Sequence, residues 1–153
     1  VKTRRDLGVT RLYVAETTWR RALREPGLWT VADVERYLDA VLPPSLASRA
    51  TVRPMRRDAT VTLADFERCD ITCYRRRPYR HRVELRLRFA LPTTASIVLH
   101  EAAHLYRSLV DPQHAHLHDA EFRWNMLHLV RTFHPHPLAH GLLTHQYAQE
   151  GIQ

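Results

Sequence analysis

Ala95-Ser96-Ile97-Val98-Leu99-His100-Glu101-Ala102-Ala103-His104 joins an apolar run to an HExxH pattern. Read as a helix, the stretch puts His100 and His104 four residues apart, one turn from each other on one face. Two imidazoles so placed can grip one metal ion, and Glu101 then stands beside it, able to take a proton from water. Pro92, with Thr93 or Thr94 as the cap, is a good helix start. The helix is expected to run to about Leu109, ahead of Asp111-Pro112.

Working upstream, Arg82-Val83-Glu84-Leu85-Arg86-Leu87-Arg88-Phe89 alternates apolar and charged residues. That period of two predicts a strand with one core face and one wet face, in an antiparallel or mixed sheet. Thr51 to Met55, with a proline suited to an edge, Thr60 to Leu63 and Cys69 to Tyr74 are further strand candidates. Before them the period is helical. Leu12, Ala15, Trp19 and Leu23 recur at spacings of three and four within residues 10–24, and Pro26-Gly27 stops the run. Thr30 then caps a second helix with Val31, Val34, Tyr37, Leu38, Val41 and Leu42 on one stripe, ended by Pro43-Pro44. Downstream, a helix from about Asp119 to Phe133 buries Phe122, Met126, Leu129, Val130 and Phe133. His134-Pro135-His136-Pro137 turns the chain into a last helix, roughly 138–149, closed by Gly151. Helices, then a small sheet, then helices predict an α+β fold in one domain spanning residues 1–153.

The 153 residues suffice for one real core, and apolar residues make up 44% of them. No apolar run reaches 18 residues, so no membrane span is expected. Val1 to Asp6 leads into no signal-type apolar core, and a cytoplasmic protein is expected. Cys69 and Cys73 are too few for a disulfide framework and read as ordinary thiols. The net charge of +7 is almost all arginine, since Lys2 is the only lysine. Most of the arginines are spread along the chain as solvated side chains. The dense cluster Arg75-Arg76-Arg77, Arg80 and Arg82 is the part that could draw nucleic acid or another polyanion.

A catalytic zinc needs a third protein ligand and an open position. A metzincin would place its histidine six residues after His104, where Val110 stands, so that reading fails. His114, His116 and His118 fill the intervening loop. His118 lies four residues before Phe122 and shares its inward stripe, which favours it as the ligand. Glu121 is the alternative ligand, or a carboxylate one turn along from His118 that accepts a hydrogen bond from a ligating side chain.

His118-Asp119-Ala120-Glu121-Phe122 resembles the HGPEF element that follows HExxH in SprT-like (Spartan-type) zinc proteases, whose opening histidine is the third ligand. Asp119 and Ala120 depart from the usual glycine and proline. Nearly end to end, the chain is similar to a small family of actinobacterial zincin-type metallohydrolases. The resemblance rests on Arg11 to Glu16, Val34 to Val41, Val98 to His104, His118 to Phe122, and Leu142 to Gly151. It implies a zincin-like domain, a Zn2+ cofactor held by His100, His104 and His118, and Glu101 as general base of a hydrolase, most simply a metalloprotease. The expected partner is a peptide or protein substrate. An oxyanion donor is left open among Tyr106, His128, His145 and Tyr147. By analogy with zincins, strand 82–89 would be an edge to which an extended peptide adds. The competing reading is a metal-stabilised module without turnover that binds nucleic acid or a protein partner.

Overall fold

Leu12, Ala15, Trp19 and Leu23 are all buried on one stripe of α1 (Arg4–Leu23), as their spacing predicts. The structure, a computed structural model, describes residues 4–25, 27–28, 31–47, 50–54, 70–76, 80–87, 93–111 and 117–152. Helix α1 ends at Arg24, whose φ of 49° turns the backbone out of the helix. A two-residue strand, β1 (Gly27–Leu28), follows. Helix α2 (Val31–Val41) buries Val34, Leu38 and Val41, with Leu42 just beyond its end. Its expected cap, Thr30, lies outside the described residues. Pro44 opens a single turn, α3 (Pro44–Ala47), at the position where a missing N–H costs nothing.

Strands β2 (Ala50–Pro54), β3 (Asp70–Arg76) and β4 (Arg80–Leu87) are described as backbone ladders. Their order is β2-β4-β3, parallel between β2 and β4 and antiparallel between β3 and β4. The candidate strand Thr60 to Leu63 lies outside the described residues, as do Cys69 and residues 88–89. Strand β4 is therefore flanked on both sides. The expectation that it forms an edge open to an added peptide is corrected, because its backbone hydrogen-bonding groups are already paired.

Strand β5 (Thr93–Thr94) pairs antiparallel with β1 and leads directly into α4 (Ala95–Val110). Thr94 caps that helix, its side chain accepting from the Ile97 N–H at 3.4 Å. Thirteen of the sixteen residues of α4 are buried, so it is the central helix rather than one half in water. Helices α5 (Ala120–Phe133) and α6 (Ala139–Gln149) pack around it and α1. Phe122, Met126, Leu129 and Val130 are buried as expected, and Phe133 is half-buried. Gly151, at a φ of 67°, ends α6 in the left-handed conformation.

The expected α+β class is corrected. Residues whose side chains are described are mostly helical, and every buried residue among them lies on a helix except Leu42, one residue past α2. The physical reason is that α4 finds its burial against other helices. Alternation in a strand says that one face is apolar, not that this face supplies the core around the site.

Three polar contacts lock the helices at their ends. Trp19 Nε1 donates to the Ala139 carbonyl at 2.9 Å, and Tyr37 Oη to the Phe133 carbonyl at 3.1 Å. The third is a buried cluster of Glu25, Ser96 and His134. His134 Nδ1 accepts the His136 N–H, so Nε2 carries the hydrogen and donates to Glu25 Oε1 at 3.1 Å. Glu25 also takes the Ser96 N–H and hydroxyl, which places a carboxylate at the N-terminus of α4. His134 is thereby a donor here and cannot serve as a base toward Ser96.

Candidate metal centre

Helix α4 supplies His100 and His104, one turn apart and both buried. His118 arrives from the other side, in the two residues ahead of α5, and is half-buried. Among the described residues these three form the one group of histidine, cysteine or acidic side chains whose ligand atoms converge. His118 Nε2 lies 3.1 Å from His100 Nε2 and 3.2 Å from His104 Nε2.

Those distances carry chemical meaning. Tetrahedral zinc with bonds of about 2.0–2.1 Å needs nitrogen–nitrogen edges of roughly 3.3–3.4 Å. The observed edges are within a few tenths of that value. Hydrogen bonding accounts for them poorly. One imidazole nitrogen offers a single hydrogen or a single lone pair in its ring plane, and His118 Nε2 faces two other nitrogens at once. A shared cation suits all three lone pairs together, so the residues present fit zinc.

The tautomer of His100 is set from behind. Its Nδ1 lies 2.6 Å from Glu16 Oε2, deep in the interface with α1. An ionised carboxylate only accepts, so Nδ1 carries the hydrogen and Nε2 keeps its lone pair for a cation. Burial works to raise the Glu16 carboxyl, but the charge and hydrogen bond of His100 and a hydrogen bond from Tyr147 outweigh it and hold it below its ordinary value. For His100, burial favours the neutral ring, and the neighbouring Glu16 reverses that and pushes its pKa up.

The loop bearing His118 is clamped to α4. Asp119 caps α5 by accepting the Phe122 N–H at 3.1 Å, and its two oxygens take Nε and Nη2 of Arg107. Arg107 sits three residues past His104 on α4. Arg123 Nη1 adds a bond to the His118 carbonyl at 3.1 Å. Asp119 thus supplies both a helix cap and one half of an ion pair.

Phe122 forms the floor, its ring centroid 4.9, 4.4 and 4.7 Å from those of His100, His104 and His118, and it is fully buried. Tyr13 on α1 stands edge-on to His118 at 5.2 Å and stacks toward His100 at 6.5 Å. Its 48% exposure marks the side of the cluster reached from solvent.

Glu101 is buried on α4 between the two helical histidines, and its charge acts on His100. Glu121 is not among the converging ligand atoms. It lies in the first turn of α5, where its charge acts on Arg107, and the carboxylate that meets one of the three histidines is Glu16. Of the four oxyanion candidates, Tyr106 Oη donates to the Val41 carbonyl and Tyr147 Oη to Glu16. His128 stacks on the exposed Trp124 and His145 is exposed on α6. His114 and His116 lie outside the described residues. Glu16 and Tyr13 carried no role in the sequence reading. Beyond falling within Arg11 to Glu16, their signal was position: three residues apart on α1, on the same flank of its buried stripe.

No protein-family model, curated protein or solved structure matches this chain. Among the described residues, no helix is long and apolar enough to cross a membrane.

Proposed function

We propose that this chain is a zinc-dependent metallohydrolase of zincin type, acting on a peptide or protein in the cytoplasm. The observation that carries the reading is the convergence of His100, His104 and His118, with His118 Nε2 3.1 Å from His100 Nε2 and 3.2 Å from His104 Nε2, and Glu101 buried beside them. When bound, zinc supplies Lewis acidity, which acidifies water and polarises a carbonyl. Glu101 would take a proton from the attacking water and return it to the leaving amine. Glu16 holds the His100 ring in the ligating tautomer, and Arg107 and Asp119 hold the loop that carries His118. Phe122 closes the floor against water, and Tyr13 borders the open side, where a substrate enters. The HExxH pattern and the element at 118–122 support the same class. A purely structural site would favour four protein ligands and has no use for a buried carboxylate next to a ligand.

Glu101→Gln tests the reading. It keeps the shape of the side chain and removes its basicity. Zinc should bind as in the wild type, and peptide hydrolysis, assayed on a denatured protein mixture, should fall by at least about 100-fold. Equal turnover by both proteins would refute the role of Glu101.

A second reading, polyanion binding, is favoured by the register of the antiparallel pair β3–β4. Arg76 pairs with Arg80 and Tyr74 with Arg82 in the antiparallel ladder of β3 and β4. This stretch is where arginine is densest in the sequence. Salt-sensitive retention on single-stranded or duplex DNA would support it. Passage through such a column at low salt would dispose of it.

A further inference from the structure

We infer that Tyr147, on the last helix, is a positioning residue for the metal centre, acting through Glu16 on His100. This inference rests on the zinc reading above and adds a residue that lies two contacts away from the His100 ring.

The geometry is a relay of three side chains from three helices. Tyr147 Oη donates to Glu16 Oε1 at 2.8 Å, and Glu16 Oε2 accepts from His100 Nδ1 at 2.6 Å. Glu16 is 1% exposed and Tyr147 4%. Each carboxylate oxygen has its own donor. The Tyr147 bond therefore fixes the rotation of the carboxylate, and with it the plane in which the His100 ring must lie.

Stability alone does not explain a carboxylate at this place. Its neighbours on the α1 and α6 stripes are Leu12, Ala15, Trp19, Ala139 and Leu143, all buried and apolar. Replacing a buried ionised group by an apolar residue of like volume is often neutral or stabilising. The interface also has a fastening of its own, from Trp19 Nε1 to the Ala139 carbonyl. What the carboxylate adds is a fixed tautomer and ring angle for a metal ligand, which outer groups of this kind commonly provide.

The test uses the full chain and four variants. Zinc affinity is read by competition with a chromophoric chelator, ligand geometry by the visible spectrum of the Co2+ form, and folding by thermal unfolding of the metal-free protein. Glu16→Gln is expected to weaken zinc binding about 10–100-fold. Tyr147→Phe should weaken it by a smaller factor, about 3–10-fold, and shift the Co2+ bands in the same direction. The double variant should bind no more weakly than Glu16→Gln alone, because Tyr147 acts through that carboxylate. Trp19→Phe, at the other end of the same interface, should lower the melting temperature and leave zinc affinity within about 2-fold, since no ligand depends on that bond.

A second measurement needs no variant. In the wild type the hydroxyl proton of Tyr147, slowed in exchange by burial, should change its NMR shift when zinc is removed by chelation, because linked groups sense one another reciprocally. Wild-type affinity and an unchanged Co2+ spectrum in Tyr147→Phe would overturn the inference. So would an additive double variant, or a Tyr147 proton indifferent to zinc. A wild type that binds no zinc at all would instead fell the metal reading, and this inference with it.

Discussion

Arg107 holds Asp119 in a two-nitrogen fork, Nη2 to Oδ2 at 2.8 Å and Nε to Oδ1 at 3.1 Å, and this joins α4 to the residue following His118. One histidine pair is thus built into a helix and the third is bolted to it. Asp119→Ala removes the fork and the cap of α5 together. A lost cap costs about 1 kcal/mol. Zinc affinity is expected to fall at least about 10-fold, because the loop loses the contact that fixes its distance from α4. Calorimetric titration with zinc checks it, and unchanged affinity would mean that the loop is held otherwise.

The same carboxyl gives an acid dependence. Burial works to raise it, but hydrogen bonds from Arg107 and the Phe122 N–H, with the charge of Arg107, hold it below its ordinary value of 3.8. A carboxyl lowered in the folded state stabilises fully above its unfolded value, and the gain is lost as the pH falls through the folded one. In metal-free protein, the melting temperatures of wild type and Asp119→Asn should therefore differ at neutral pH and converge in acid below that range. A gap that widens on acidification would contradict the assignment.

Phe122 serves the core and the site at once. Truncation to alanine should cost about 3–5 kcal/mol as a fully buried aromatic. It should also loosen all three histidine rings that rest on it, so the variant should lose both melting temperature and zinc affinity. Loss of stability with full affinity would show that the floor does not order the rings.

Much of this was legible in the sequence, and the boundary is instructive. Spacings of three and four gave α1, α2 and α5, since a buried helical stripe is a local property of the chain. Thr94, one of the two cap candidates, caps α4, and α5 starts beside Asp119, where the stripe placed it. His118 was favoured through its offset from Phe122, and the two do meet, at 4.7 Å between ring centroids. The fold class was misjudged because a strand pattern reveals its apolar face without saying what covers the central helix. Glu16 and Tyr147 were out of reach for a different reason. They are 131 residues apart, and only the packing of α1 on α6 turns them into neighbours.

Metal should also appear in the stability of the fold. An ion bound at 100 times its dissociation constant adds about 2.7 kcal/mol. For a domain of this length that raises the melting temperature by roughly 5–10 °C. Chelation should reverse the rise in wild type and leave His104→Ala unaffected.

Zinc content settles the matter most directly. Elemental analysis of purified wild type and of His118→Ala, loaded and dialysed side by side, should give one zinc per chain for the first and little or none for the second. No metal in the wild type, or equal metal in both, would contradict a centre built from His100, His104 and His118.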